Sequence, residues 1–238
     1  MPSGKISLWA GKSGIGKSRA AVTVAAAVAT RGYRILYLQN ETDLGIFAHN
    51  IRNSGRTMPN NFYIGDSTSL NQQLSDILQC RSHLVVVDSV NMIQEFNSGS
   101  DKDIRRVIEG ERAYPGYRQI CQKTGCHVIF LSQLTKNGDP RGSTVLTHLV
   151  DIVFELVPVD NAGCFAIKVG NKHRYGRIGR NFTSWWQHRN WGVECITDYS
   201  REDELWCKTH GLKRRDLKEE VGRYMLKQKL GIFGVFLK

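Results

Sequence analysis

The sequence predicts an α/β protein: a mostly parallel central sheet flanked by helices, with an antiparallel extension toward the C-terminus. Three observations predict it. The stretch GKSGIGKS, Gly11 to Ser18, joins a short alternating strand (KISLWA) to an Ala-rich helical run (SRAAVTVAAAVAT). Continuous apolar runs then alternate with helix-like stretches as far as about residue 150. Beyond that point strand-like runs follow one another through short loops.

The first element is a strand over about 5–10, because KISLWA alternates with period two. GKSGIGKS fits G-x-x-x-x-G-K-[ST], with Gly11, Gly16, Lys17 and Ser18 in the fixed places and Gly14 inside the loop. Glycines without a β-carbon let successive backbone N–H groups close around phosphate oxygens, and the helix that follows presents its N-terminus to them. In such a loop Lys17 reaches the β- and γ-phosphates of ATP, and the Ser18 hydroxyl binds Mg²⁺. The helix covers about 17–31. RILYLQ (34–39), NFYIGD (61–66), HLVVVD (83–88) and HVIFLS (127–132) read as strands, separated by helices over about 43–54, 68–80 and 105–124. Apolar strands without alternation imply a sheet covered on both faces. DIVFELVP, CFAIKVGN, RNFTSWW and WGVECI then form the antiparallel extension. Residues 200–238 return to a helical pattern, strongest at 212–229.

Composition narrows the function. The chain has 238 residues, 41% hydrophobic and 23% charged, which suits one globular α/β domain with a small appendage. No stretch nears the roughly 18 apolar residues of a membrane span, and no signal peptide is read at the N-terminus. The six cysteines form no C-x-x-C pair, so they read as reduced thiols of a cytoplasmic protein rather than a zinc site. The net charge of +11 favours a polyanionic partner. Six Lys/Arg and no acid lie between Lys168 and Arg189, interleaved with Tyr175, Phe182, Trp185 and Trp186, and LKRRDLK (212–218) is a second basic cluster.

Three side chains extend the chemistry. Asp88 ends the apolar strand HLVVVD, the Walker B arrangement, where a carboxylate orients a water on Mg²⁺. Glu41 follows RILYLQ, 24 residues after Lys17. If its strand lies beside the loop strand, the carboxylate faces the γ-phosphate and can polarise the attacking water; the alternative is a helix-capping acid. Gln133 ends the next strand, where an amide can hydrogen-bond the γ-phosphate and move when it leaves.

In this order the motifs resemble the RecA-type P-loop ATPase core. LSQLTKNGDPRGSTVLTHLVDIVFEL and KHRYG (172–176) resemble segments of the RadA/Sms recombination ATPases and of the DnaB-like replicative ring helicases. The resemblance spans about 5–195. It implies an ATP hydrolase in which Lys172 and Arg174 contact the γ-phosphate held by a neighbouring subunit, so that hydrolysis waits on assembly. It also implies two DNA-binding loops, matched at about 96–112, with Arg105, Arg106 and Arg112, and at 136–143, with Lys136 and Arg141. The expectation is a RecA-like core over 1–199, a helical extension over 200–238, ATP and Mg²⁺ as cofactors, single-stranded or branched DNA as partner, and a homo-oligomer, with a hexameric ring as one form. The four-cysteine zinc module and Lon-like domain of RadA/Sms proteins are not seen, nor the leading docking element of ring helicases. The favoured activity is a helicase or branch-migration motor. The alternative is a recombination or signalling ATPase that assembles on ATP without translocating. A small-molecule kinase fits less well, because the arginines sit late in the chain, and a non-catalytic scaffold is disfavoured by Glu41.

Overall fold

The computed structural model describes residues 4–53, 57–134, 144–159, 163–174, 183–189, 192–196 and Leu205. The expected C-terminal helix, including its strongest part at 212–229, lies outside these residues, as do Lys136 and Arg141. Strand β1 (Ile6–Gly11) leads through the loop into helix α1 (Lys17–Ala29). There follow β2 (Ile35–Gln39), α2 (Leu44–Asn53), β3 (Phe62–Gly65), α3 (Leu70–Cys80) and β4 (Leu84–Asp88). After a short 3₁₀ turn at Val90–Met92 come α4 (Asp101–Glu109), β5 (Gly110–Glu111), β6 (Tyr114–Pro115), α5 (Tyr117–Thr124) and β7 (His127–Gln133). Helix α6 (Thr144–Leu149) precedes β8 (Ile152–Pro158), β9 (Cys164–His173), β10 (Thr183–His188) and β11 (Val193–Cys195).

Nine strands form one sheet in the order β11-β10-β9-β8-β1-β7-β4-β2-β3. The parallel half runs from β8 to β3; β9, β10 and β11 add to it antiparallel. The two faces follow the period of two along each strand. Leu8, Leu36, Leu38, Val85, Val87 and Phe130 face one core, closed by α3, α4, α5 and α6. Trp9, Ile35, Tyr37, Val86, Ile129 and Leu131 face the other, closed by α1 and α2. The alanines of α1 (Ala20, Ala21, Ala25) are fully buried, which lets this helix lie close to the strands it leaves.

Two expectations need correction. The single helix over 105–124 is two helices with a hairpin between them. Gly110 takes φ +85, and a Cβ there would lie 2.5 Å from the Gly116 nitrogen, so the helix must end and turn. Pro115 then has no N–H for a helical ladder. The earlier half starts at Ser100, whose hydroxyl accepts from the Asp103 N–H and caps α4. The region at 96–112 is therefore largely helix rather than loop: Arg105 and Arg106 sit on α4, and Arg112 lies in the hairpin turn. Arg105 pairs with Glu109 at 3.5 Å, and Arg106 stacks over the Tyr114 ring at 5.3 Å. The second correction is that β2 does not lie beside β1: β7 and β4 stand between them.

Among the described residues no helix is long and apolar enough to cross a membrane.

Candidate active site

The carboxyl ends of β1, β7, β4 and β2 line up along one edge of the sheet, the edge where open parallel sheets bind ligands. The loop after β1 is shaped by Gly14 at φ +78 and Gly16 at φ +99, left-handed values that side chains with a β-carbon avoid. Gly16 is the N-cap of α1, so the loop's N–H groups and the positive end of the helix point the same way. Gly11 closes the loop from the end of β1: Lys17 Nζ donates to its carbonyl at 2.9 Å and to that of Lys12 at 3.0 Å. Burial pulls the Lys17 pKa below its ordinary value, while the charges of Glu41 and Asp88 pull it back up.

Asp88 is buried, at 2% exposure, at the end of β4. Its Oδ2 accepts from the Tyr37 hydroxyl at 2.8 Å, and its carboxylate also accepts from Ser18. Burial raises its pKa to about 6, helped by the charge of Glu41; the two hydroxyl bonds and Lys17 work in the other direction. Tyr37 is fully buried and its own pKa is pushed well up, by burial first and by Asp88 second. A hydroxyl and a carboxylate placed together in a water-poor pocket form a hard-oxygen donor set that suits Mg²⁺, and a partly protonated Asp88 is a group that a cation would return to its charged form.

Although β2 is two strands removed from β1, Glu41 still reaches the site. Gln39 pairs with Asp88 across β2 and β4, so two residues further on Glu41 stands beside Ser89. The Ser89 hydroxyl donates to Glu41 Oε1 at 2.5 Å and fixes the carboxylate. The Asp88–Ser89 peptide is cis. Glu41, Lys17, Ser18, Asp88, Gly14, Gly16 and Gln133 line one cleft of about 550 Å³, a size ordinary for small-ligand sites. A glycine loop, a lysine, a buried carboxylate with a hydroxyl and a second, exposed carboxylate are the parts that bind a nucleoside triphosphate and activate a water.

Three members of the site carry no sequence signal of their own. Ser89 is signalled only by following Asp88. Tyr37 reads as one more apolar strand residue. His188 comes from β10, 172 residues after Gly16, and lines the same cleft. Its ring lies against Gly16, where a Cβ would stand 2.2 Å from Cε1. Burial and nearby Arg19 lower its pKa.

Lys172 and Arg174 are not in this cleft. The end of β9 pairs His173 with Ile152, and Ile152 in turn pairs with Ser7. These residues therefore sit at the amino end of β1, about 13 Å of strand from Gly11. Lys172 Nζ donates to the carbonyls of Thr147, at 2.9 Å, and His148; Arg174 Nη2 donates to that of His148 at 3.1 Å. Both cations thus meet the carbonyl end of α6, which is the favourable end for positive charge.

The chain matches the family described as an AAA domain over residues 1–139. It is similar to the DNA repair protein RadA of Mycolicibacterium smegmatis, with 29% identity over 201 residues, covering 83% of this chain and 42% of the relative. The protein of the same name from Aquifex aeolicus is 28% identical over 182 residues, covering 74% of this chain and 38% of the relative. The chain thus spans about two fifths of the length of the curated relatives it matches. Among solved structures, the ATPase domain of a DnaB-like helicase superposes with a TM-score of 0.63 at 15% identity, over 82% of this chain and 85% of that one, a likeness of fold.

Proposed function

Because the chain belongs to the AAA domain family and has the RecA-type ATPase fold, we propose that it hydrolyses ATP as a DNA-stimulated motor of the helicase or branch-migration type, working as an oligomer on single-stranded DNA. The similarity to proteins named for DNA repair and the net charge of +11 support a DNA partner. The observation that carries the oligomer is the separation of the two halves of the chemistry. Lys17, Ser18, Glu41 and Asp88 line the cleft, while Lys172 and Arg174 stand at the far end of β1. Within one chain they cannot meet; between adjacent chains they can.

Each residue then has a role. Lys17 leaves the carbonyls of Gly11 and Lys12 for the β- and γ-phosphate oxygens. Ser18 and Asp88 hold the Mg²⁺ side of the nucleotide, where the ion supplies charge neutralisation. Glu41, held by Ser89, takes a proton from the attacking water. Gln133, at the end of β7 beside Gly11, reports the γ-phosphate. Arg174 of a neighbour stabilises the charge that develops on the transferring phosphoryl group, a contribution worth about 10³-fold or more in related chemistry.

The test mixes two inactive proteins, Glu41→Gln and Arg174→Ala. A mixed interface can combine an intact Glu41 cleft with an intact Arg174, so activity returns in part. An arginine acting within its own chain gives no recovery, because every chain carries one defect. Single-stranded DNA should raise the ATPase rate, and DNA affinity should fall with salt, each phosphate neutralised adding about 0.7 to the logarithmic slope. A rate indifferent to DNA, with complementation intact, selects the ATPase that assembles without translocating.

A further inference from the structure

Asp151 lies at the start of β8, 1% exposed, and every part of it is tied down. Its Oδ2 accepts from the Ile6 N–H at 2.9 Å and from Arg118 Nη1 at 2.5 Å. Arg118, on α5, also donates to the Leu149 carbonyl at the end of α6. The Asp151 N–H donates to the Ile6 carbonyl at 2.8 Å, joining it to β1 by the main chain as well. Burial alone would raise its pKa, but the Ile6 N–H, Arg118 and Arg174 outweigh this and hold it below the ordinary carboxylate value. It is an ionised, immobile carboxylate.

Two further contacts tie this anchor to Arg174. The Arg174 N–H donates to the Asp151 carbonyl at 3.1 Å, and the Arg174 guanidinium lies 3.6 Å from Asp151 Oδ1. With the His148 carbonyl on Nη2, three contacts fix the backbone and one side of the guanidinium, while its side chain remains 48% exposed. A guanidinium carries five N–H donors in a rigid plane. Its open edge is thus aimed outward from the amino end of β1. Neither Asp151 nor Arg118 touches the nucleotide cleft of its own chain, and a buried ion pair is in general a weak source of net stability.

We propose that Asp151, clamped by Arg118, is a positioning residue for Arg174: it sets the direction in which the guanidinium is presented to the nucleotide of the adjoining subunit. This rests on the reading that Arg174 acts between subunits, and it predicts an unusual property. A defect at Asp151 should be felt in the neighbour's site and not in its own.

The experiment sorts variants by complementation, with co-assembly shown by native mass spectrometry. The control pair is Glu41→Gln with Arg174→Ala; if it gives no activity, the intersubunit reading itself fails, before any Asp151 variant is considered. With the control restored, Asp151→Asn alone should turn over about 10- to 100-fold more slowly, the scale for an Arg displaced by about 1 Å, with ATP affinity within about twofold of the parent. Mixed with Glu41→Gln it should recover activity; mixed with Arg174→Ala it should not. Arg118→Ala, which leaves Asp151 in place and removes one clamp, should fall in the same group with a smaller defect. Recovery with Arg174→Ala, recovery with neither, or a loss of ATP affinity in step with turnover would overturn the proposal, since each means that Asp151 serves its own chain's fold or cleft. If Asp151→Asn fails to fold, the grouping of Arg118→Ala decides by the same criteria.

Discussion

Asp88→Asn should make this protein more stable while ending its catalysis. The carboxyl is buried and its pKa stands at about 6 against an ordinary 3.8. That difference corresponds to about 3 kcal/mol of disfavoured ionisation once the pH is above the folded value, at about 1.4 kcal/mol per tenfold change. The native state holds this proton more tightly than the unfolded chain does. The contribution of the group to stability is therefore intact below the unfolded value and lost as pH rises through about 6. An asparagine keeps an acceptor for the Tyr37 hydroxyl and presents an amide N–H to Ser18 in place of the charge. Burying the amide takes back part of the gain, so a net stabilisation of about 1–3 kcal/mol is expected at about pH 8. Equilibrium urea unfolding of both proteins, without Mg²⁺ or nucleotide, from about pH 4 to about pH 8 measures it. The two curves should nearly coincide at the acid end and separate as the pH rises through about 6. An asparagine variant that is less stable at the alkaline end, or a gap that does not change with pH, would refute the reasoning that Asp88 is held as a strained, buried acid. The cost is functional in origin: the group is kept where a bound cation restores its charge.

Other outcomes follow from the same geometry. Lys17→Ala should abolish ATP hydrolysis and leave the fold intact by circular dichroism; turnover at the parent rate would remove the loop from the active site. Ser89→Ala should slow turnover about tenfold with ATP binding kept, because a hydrogen bond to a charged group carries about 1.5 kcal/mol of orientation; an unchanged rate would mean that Glu41 needs no second group to hold it. Gly14→Ala, with nothing within 4 Å of the new Cβ, should cost only the left-handed strain of about 1–2 kcal/mol. Gly16→Ala should lose ATP affinity further, since its Cβ would stand 2.2 Å from His188 Cε1, and His188→Ala should restore part of it. Equal losses in the two alanine variants would place His188 elsewhere.

Local chemistry is what consecutive residues carry without help from the rest of the chain. The phosphate loop is written this way, because backbone conformation at Gly14 and Gly16 and the helix start at Lys17 are short-range properties. Asp88 is legible because an apolar strand in a covered sheet has one natural place for a carboxylate, its end. The alternation of strands and helices yields the layers, since the faces of a strand follow a period of two. Strand order and register leave no such signal, because they depend on pairings between distant segments and a period of two names a face, not a neighbour. So β2, expected beside β1, lies beyond β7 and β4, and Glu41 reaches the cleft only because Gln39 pairs with Asp88 and brings Ser89 to its carboxylate. The break at Gly110 is hidden because helical periodicity resumes after it. Tertiary structure alone brings His188 to Gly16 across the sheet. It alone sets Lys172 and Arg174 on the carbonyl end of α6 and Arg174 against Asp151, at the opposite edge from Lys17, because an antiparallel turn back along β8 carries the end of β9 to the start of β1.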